Sequence, residues 1–554
     1  MRIGLLLAPA ILCFMAASCG DSSDTPSGGD GGAGDGSSSG ASSGGGSGDT
    51  GSDGRGSSSG DGGSSSGSAD GGDAGALPKG AKVEDLLGVN GFIDDPIDKL
   101  APIGTVREYH NWGWIADNFA AAPAYPGMLY TFMNFNGWDW DTFFSDLKTA
   151  GAVGFPAVQG GVPWIANSAV PPIAAGADKT KAASYVAHGD AMFQIAARYG
   201  ATKVPDAKLK LKANQTRSTG LASVTYFEDF NEQDNAAGFT GDAFAAMASA
   251  DYDGDQKRLG DTIGVKNADP NAKLVMGGLS GAYPTANGKW TSSITTFLDA
   301  MRAWSTTNRA GSFPADVVNV HYYSFGPGGS APASSPEDDK VQDQLAAIAA
   351  YREANLPGKE LWWTEFGYDT FQASPLHAPP IGGNSAEIVQ AQWLVRDFLA
   401  AAAAGIDRAT VYILRDGCTP PEPACSTQFA TAGLTTAKGS WAPKPSWYFL
   451  ATFRARLGKM IYAGALPSGN PDVLVYSFKD TTGPGGALVV WAKTSTAKTL
   501  PGFSLTLPAR AGAAKAVALV DKQTSGVETP LVPAAGKVAV DVSETPTIVL
   551  LDAL

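Results

Sequence analysis

The chain has 554 residues, which is too long for one ordinary domain and corresponds to about two to four folding units. Hydrophobic residues make up 44% and charged residues 17%, so the chain can build a sizeable core. The formal net charge of −14 excludes the basic surface that nucleic acids and anionic lipids require, and neither is expected as a partner.

The N-terminus has the pattern of an export signal. Arg2 precedes the apolar run Ile3–Met15, which is too short for a comfortable membrane span. The small residues before Cys19 resemble a bacterial lipobox, which implies cleavage after residue 18 and a lipid on Cys19. An ordinary signal peptide with an unrelated Cys is the alternative. We therefore expect an extracytoplasmic protein that contacts the membrane only through its lipid anchor.

Residues 19–77 are almost entirely Gly, Ser, Asp and Ala. Such a segment cannot bury enough apolar surface to offset chain entropy, so we expect it to be disordered. As a flexible coil it would extend on the order of 40 Å, which would hold a folded unit clear of a membrane.

Cysteine usage beyond the N-terminus predicts one disulfide. Cys13 lies in the signal, which leaves Cys418 and Cys425 in a Pro-rich loop. Two remaining cysteines in an exported protein favour a disulfide. A metal site is the weaker alternative, because only His321 and His377 lie in the same region.

Residues 78–457 alternate short apolar runs with helical patterns. Eight strands with intervening helices predict an α/β fold, a (β/α)8 TIM barrel, with a doubly wound sheet as the alternative. The predicted strands are Leu86–Phe92, Gly104–Tyr109, Ala157–Gly160, Val224–Phe230, Lys273–Gly278, Val317–Tyr323, Glu360–Phe366 and Thr410–Leu414. The predicted helices include Lys179–Tyr199, Ser292–Trp304, Asp339–Ala354 and Ala386–Ala404, the last with Ser385 as N-cap and Gly405 just past its end.

Residues 458–554 lack helical patterns and predict a small C-terminal β-sandwich. The predicted strands are Asp472–Phe478, Gly486–Ala492, Phe503–Leu507, Ala516–Leu519, Lys537–Val542 and Pro546–Leu551.

Two carboxylates stand where barrel strands give way to loops. Glu232 follows the fourth strand and Glu365 ends the seventh. Active sites of such barrels lie at the carboxyl ends of the strands, and burying a carboxylate there is costly without a partner or a task. Two carboxyl groups that flank one bond are what glycosidic cleavage needs, one as acid and one ionised.

The fourth strand resembles the corresponding motif of clan A glycoside hydrolases, and most closely that of family 39. The motif is Phe227-Glu228-Asp229-Phe230-Asn231-Glu232-Gln233-Asp234, with Phe230 and Gln233 where family 39 has Trp and Pro. The resemblance implies a retaining hydrolase of β-linked poly- or oligosaccharides. It further implies that Glu232 is the general acid/base, that Asn231 binds a sugar hydroxyl, and that Glu365, within Trp363-Thr364-Glu365-Phe366-Gly367, is the nucleophile.

Further substrate-binding candidates lie at other strand ends. The resemblance implies that Arg107 contacts the nucleophile, and that His321 and Tyr323 bind sugar and the nucleophile. A surface ion pair is the alternative for Arg107, and rim packing for the other two. Weaker candidates are His110 and three rings that can stack on sugars or pack in the core. These rings are Trp112, Trp164 and Trp363.

No cofactor is expected, and we also expect a monomer. Carboxylates at alternate positions of Asp251–Asp255 can hold calcium, although a helix-ending turn is the favoured interpretation. A carbohydrate-binding surface lipoprotein with a vestigial barrel is the alternative function, and a structural or adhesive protein is the third.

Overall fold

The computed structural model describes residues 80–116, 124–135, 137–165, 170–236, 238–281 and 289–554. The predicted signal peptide over residues 1–18, the lipidation site Cys19 and the linker 19–77 lie outside the described residues.

The centre of the fold is a closed barrel of eight parallel strands, which confirms the predicted TIM barrel and excludes the doubly wound sheet. Each strand pairs with its neighbours in chain order, and the last strand pairs with the first. The strands are β1 (Leu87–Gly91), β2 (Thr105–Asn111), β3 (Gly154–Gln159), β4 (Tyr226–Asn231), β5 (Lys273–Gly278), β6 (Val317–His321), β7 (Glu360–Glu365) and β8 (Arg408–Val411).

Within the described residues, seven longer helices follow strands β2 to β8. They are α1 (Trp140–Thr149), α2 (Val186–Tyr199), α3 (Gly241–Asp253), α4 (Lys289–Asn308), α5 (Val341–Asn355), α6 (Ala386–Ala404) and α7 (Pro445–Leu457). Short helices occur at Val83–Leu86, Ile97–Leu100, Trp112–Ile115 and Val265–Ala268. Helix α6 has its predicted bounds because the Ser385 side chain caps its first turn and Gly405 ends it with φ +78°.

The barrel interior has an apolar floor and a polar layer above it. Phe155, Val275, Val317 and Trp362 form the floor. Side chains two residues further along a strand point to the same side, so the next inward positions include Glu228, Asn319 and Thr364. This polar layer positions the site described below.

The C-terminal region is built from two sheets that share an apolar core, as expected for a β-sandwich. Its strands are β9 (Met460–Ala465), β10 (Val473–Asp480), β11 (Gly486–Ala492), β12 (Thr499–Thr506), β13 (Ala514–Ala518), β14 (Val527–Leu531), β15 (Lys537–Ser543) and β16 (Thr547–Leu551). The larger sheet has the order β9-β10-β11-β16-β13-β14, and β12 pairs with β15 in the smaller one. The sequence patterns missed β9 and β14.

The outer face of the larger sheet packs on the barrel rather than standing apart from it. Tyr476, Trp491 and Ile548 belong to the same buried cluster as the barrel helices. The Trp491 indole also donates to Glu337, which in turn pairs with Arg396 of α6. Barrel and sheets are therefore joined by a continuous core.

The predicted disulfide between Cys418 and Cys425 is present. The segment Asp251–Asp255 forms the helix-ending turn, with Gly254 at φ +65°, and each of its carboxylates has a protein partner: His188 for Asp251, Arg309 for Asp253 and Arg258 for Asp255. Among the helices that the structure describes, none is long and apolar enough to cross a membrane.

Candidate active site

Glu232 stands at the mouth of the barrel, directly after β4. Its backbone adopts the left-handed conformation with φ +47°, and its N–H donates to the Gly278 carbonyl at the end of β5 over 3.0 Å. The carboxylate is held at both oxygens: Oε1 lies 3.0 Å from Nδ1 of His321, and Oε2 accepts from the amide of Asn235 over 3.0 Å.

Glu365 reaches the barrel interior because the ladder between β6 and β7 is irregular. Val320 pairs with Trp363 but His321 pairs with Glu365, so Thr364 is an extra residue in β7. The Thr364 hydroxyl contacts Asn319 over 2.8 Å inside the barrel, and the next side chain, Glu365, also turns inward. Without this irregularity, successive side chains would alternate between the two faces.

Glu365 is only 6% exposed, and its carboxylate is surrounded by donors. Oε1 accepts from Nη1 of Arg107 over 2.8 Å and from the phenol of Tyr109 over 2.6 Å. Oε2 accepts from the phenol of Tyr323 over 2.9 Å, and Nδ1 of His321 lies 3.6 Å away. This arrangement favours the ionised form.

The surroundings of the two carboxylates shift their pKa values in opposite directions. Burial raises the pKa of Glu232, and the negative charge of Glu365 raises it further, whereas His321 in its protonated form opposes the rise. Burial alone would raise the pKa of Glu365, but protonated His321, Arg107 and the two phenols outweigh it and lower the pKa below its ordinary value. The two shifts favour a protonated Glu232 beside an ionised Glu365.

Arg107 is buried and forms ion pairs with two carboxylates, Glu228 and Glu365. Its Nε and Nη2 donate to the two oxygens of Glu228 over 2.6 and 2.8 Å, and Nη1 donates to Glu365. Nη1 also reaches Asn90, and Nη2 also reaches Oδ1 of Asn231 over 2.7 Å. The contact with Asn231 fixes its amide so that the NH2 group is left to donate elsewhere.

His321 sits in a space created by the glycines that end β5. A Cβ atom on Gly278 would overlap the imidazole, so only glycine allows the ring to lie against this strand. Its Nε2 lies 3.0 Å from the Thr364 hydroxyl, and its Nδ1 faces Glu232. The ring therefore connects Thr364 inside the barrel with Glu232 at the barrel mouth.

Ligand atoms of Glu232, His321 and Glu365 lie within 4.8 Å of one another, the spacing that a metal ion requires. Both oxygens of Glu365 already accept hydrogen bonds, and the Arg107 guanidinium is in direct contact with one of them. A cation bound here would be repelled by that fixed positive charge. The chemistry of these donors therefore favours proton transfer over metal binding.

The structure brings together Glu232, Glu365, Asn231, Arg107, His321 and Tyr323, whereas His110, Trp112 and Trp363 are buried and Trp164 is partly exposed. His110 is buried on the opposite face of β2, where it contacts Glu108 and the ring of Trp140. Trp363 is buried against Phe366 outside the barrel. Trp112 is fully buried, and the partly exposed Trp164 packs edge-on against it.

Sequence reasoning missed three contributors that the geometry makes evident. Tyr109 is two residues beyond Arg107 on the same face of β2, so strand alternation predicts its inward orientation. Glu228 lies inside β4 and has no strand-end position to mark it. Tyr412 directly follows β8 and adds an aromatic ring beside Tyr109.

Five rings contact one another in a row that includes Tyr109 and Tyr323, the two phenols bound to Glu365, and we call this row the aromatic rim. Neighbouring rings lie between 4.7 and 6.2 Å apart, centroid to centroid. In order of contact, the rim consists of Phe92, Tyr109, Tyr412, Phe429 and Tyr323. Phe92, Tyr412 and Phe429 are only partly buried, so their faces can contact a bound molecule.

No protein-family model matches the sequence, and no curated protein matches it. Solved structures do resemble the fold. A family 39 glycoside hydrolase from Bacteroides cellulosilyticus has a TM-score of 0.57 at 15% identity, over 86% of this chain and 83% of that chain. A glucosidase from Croceicoccus marinus has a TM-score of 0.52 at 13% identity, over 86% and 97%. A family 30 endoxylanase from Clostridium papyrosolvens has a TM-score of 0.50 at 12% identity, over 87% and 98%. The chain therefore shares the fold of these enzymes along most of its length.

Proposed function

We propose that the protein is a retaining glycoside hydrolase that cleaves β-glycosidic bonds of a poly- or oligosaccharide. The observation that carries this proposal is the pair Glu232 and Glu365. One oxygen of each lies within 4.8 Å of the other, and their pKa values are shifted apart. Retaining enzymes hold their carboxyl groups about 5–5.5 Å apart, whereas inverting enzymes need about 6.5–9.5 Å to admit a water.

In the first step, Glu365 attacks the anomeric carbon while Glu232 donates its proton to the leaving oxygen. The bond to the leaving sugar breaks, and a glycosyl ester forms on Glu365. Loss of the negative charge on Glu365 then removes one of the influences that raise the pKa of Glu232. In the second step, Glu232 takes a proton from water, the water attacks the anomeric carbon, and Glu365 is released.

The other groups of the site fit this chemistry. Arg107, Tyr109 and Tyr323 keep Glu365 ionised and fix its orientation. The amide of Asn231 provides a donor beside Glu232 for a sugar hydroxyl. The aromatic rim offers apolar faces on which the C–H faces of sugars can stack, and the structural relatives include a glucosidase and an endoxylanase.

The experiment is a screen of β-linked glycans for new reducing ends, with Glu365→Gln and Glu232→Gln as test variants. Both should lose at least about 1,000-fold in kcat/KM. The matched control is Glu360→Gln, because Glu360 begins the same strand at the other end of the barrel, where it pairs with Lys273. This control should keep wild-type activity.

The first product anomer, followed by proton NMR, tests the stereochemistry. We expect the β-anomer first, with the α-anomer appearing only at the rate of spontaneous mutarotation. An α-anomer as first product would contradict retention. Binding of glycans without cleavage by the wild type would favour a carbohydrate-binding protein with a vestigial barrel.

We also propose that the enzyme is exported and anchored through a lipid on Cys19, and that it acts as a monomer. The support is the apolar run Ile3–Met15 and the Gly/Ser-rich linker that follows Cys19. Radiolabelled palmitate should be incorporated into the wild-type chain in a bacterial host, and Cys19→Ala should abolish it. Label retained in that variant would contradict the assignment.

A further inference from the structure

Two polar side chains, Asn319 and Thr364, connect Glu228 to His321 across the barrel interior. The Asn319 amide donates to Oε1 of Glu228 over 3.1 Å, and the Thr364 hydroxyl donates to Oδ1 of Asn319 over 2.8 Å. Nε2 of His321 lies 3.0 Å from that same hydroxyl oxygen. All four residues are fully buried, so within the described residues these groups depend on one another for their hydrogen bonds.

Glu228 fixes which groups donate and which accept along this series of hydrogen bonds. Both oxygens of Glu228 accept hydrogen bonds from Arg107, so this carboxylate can only accept. Asn319 must therefore turn its NH2 group to Glu228 and its oxygen to Thr364. The Thr364 hydroxyl then donates its single proton to Oδ1 of Asn319. The hydroxyl oxygen is left to accept from Nε2–H of His321.

Without this chain of hydrogen bonds, the other neighbours of His321 would favour a proton on Nδ1 instead of Nε2. Its Nδ1 lies 3.0 Å from Glu232 and 3.6 Å from Glu365, and two carboxylates attract a proton to Nδ1. Asp234 is a further carboxyl group that interacts electrostatically with the ring. The chain from Glu228 opposes this attraction because it requires the proton on Nε2.

We propose that Glu228, Asn319 and Thr364 are positioning residues that hold neutral His321 as its Nε2–H tautomer, so that Nδ1 accepts the proton of Glu232. This inference rests on the proposed function, because a protonated Glu232 is what donates to the leaving oxygen. An Nδ1–H tautomer would instead donate to the Glu232 carboxylate and stabilise its ionised form. These three positioning residues thus favour the protonated form of Glu232.

Thr364→Val tests the proposal, because it replaces the hydroxyl by a methyl group of the same size. Thr364→Ser is the matched control, since it keeps the hydroxyl. Each variant is prepared as the full chain with ¹⁵N-histidine. The chain has 4 histidines, so single substitutions of His110, His188 and His377 leave the His321 signals identified. We expect Nε2–H in the wild type and in Thr364→Ser, and Nδ1–H in Thr364→Val.

Asn319→Leu is the second variant, in case Thr364→Val does not fold. It leaves the Thr364 hydroxyl free to donate to Nε2, so the tautomer should again change to Nδ1–H. An Nδ1–H tautomer or a doubly protonated ring in the wild type, or no change in either variant, would overturn the proposal.

The pH profile provides the functional readout. In Thr364→Val the alkaline limb of kcat/KM should move down by about one pH unit or more, since an Nδ1–H donor favours ionised Glu232. Thr364→Ser should keep the wild-type limb, and an unmoved limb in Thr364→Val would contradict the proposal. The tautomer measurement needs no substrate. A chain that hydrolyses no glycan yet shows the expected tautomers would therefore refute the proposed function alone.

Discussion

One carboxylate oxygen of Glu232 lies within 4.8 Å of one carboxylate oxygen of Glu365, at opposite sides of the barrel mouth. These two groups come from β4 and β7, which are far apart in the sequence and meet only because the barrel closes. The donors around Glu365 and the burial of Glu232 shift the pKa values of the two carboxyl groups in opposite directions.

The pH dependence of activity follows from these opposite shifts. Glu365 must be ionised, and its pKa lies below the ordinary 4.5, while Glu232 must be protonated, and its pKa lies above 4.5. We predict a bell-shaped plot of kcat/KM against pH, with its acid limb below and its alkaline limb above pH 4.5. In Glu232→Gln, assayed with an activated aryl glycoside, the alkaline limb should disappear. Its persistence would assign that limb to another group.

Removing either phenol from Glu365 should weaken the ionised form. Tyr109→Phe and Tyr323→Phe each delete one hydrogen bond to this carboxylate, from different oxygens. We predict that each substitution lowers kcat/KM by about 10- to 100-fold and moves the acid limb to higher pH. The double variant should show a larger shift than either single variant. An acid limb that stays in place in all three would mean that the phenols do not control Glu365.

Gly278→Ala should displace His321 from its place against β5. The added Cβ would overlap the imidazole, so the ring must move away from Glu232 and Thr364. We predict a loss of about 1–3 kcal/mol in the free energy of unfolding, together with a large loss of activity. The control is Gly483→Ala, because a Cβ at Gly483 meets no atom within 4 Å. Equal effects of the two substitutions in urea unfolding and in assays would contradict the packing argument.

Stability should depend on pH through buried carboxyl groups away from the site. Burial raises the pKa of both Asp339 and Asp416 from 3.8 to about 6. Each group binds its proton more tightly in the folded chain, so its contribution is complete below pH 3.8 and is lost as the pH rises through about 6. Asp339→Asn can still accept from Tyr322 and should reduce the loss of stability between about pH 4 and 7.

Urea unfolding across that pH range measures this effect. The exposed Asp206→Asn is the control and should leave the pH dependence unchanged. If Asp339→Asn also left it unchanged, the assigned pKa of Asp339 would be wrong.

Much of the barrel could be predicted from local patterns, because each strand is a short apolar run followed by a polar loop. The same contrast marked Glu232 and Glu365, and the family resemblance added Arg107, His321 and Tyr323. The two strands that the patterns missed, β9 and β14, are the edges of the larger sheet. Four of the five residues of β14 are exposed, and it contains Pro530, so neither alternation nor composition indicated a strand.

For the site, the sequence left open which side chains of each strand point into the barrel. Within β2, Arg107 and Tyr109 point inward while His110 points outward, and alternation from Arg107 would have separated them. In β7 the same rule fails. The extra residue Thr364 lets two successive side chains enter the barrel, and this irregularity depends on pairing with β6. The role of Glu228 likewise depends on the partner strand that brings Arg107 to it.

The most direct measurement of the central claim is the site at which a trapped glycosyl-enzyme forms. A 2-deoxy-2-fluoro glycoside with an activated leaving group, made for the glycan that the screen identifies, is incubated with the enzyme, and the labelled peptide is sequenced by mass spectrometry. We predict one label per chain, on Glu365. The label should be absent in Glu365→Gln. A label on Glu232 or on Glu228, or turnover of that glycan without any covalent intermediate, would contradict the assignment of Glu365 as the nucleophile.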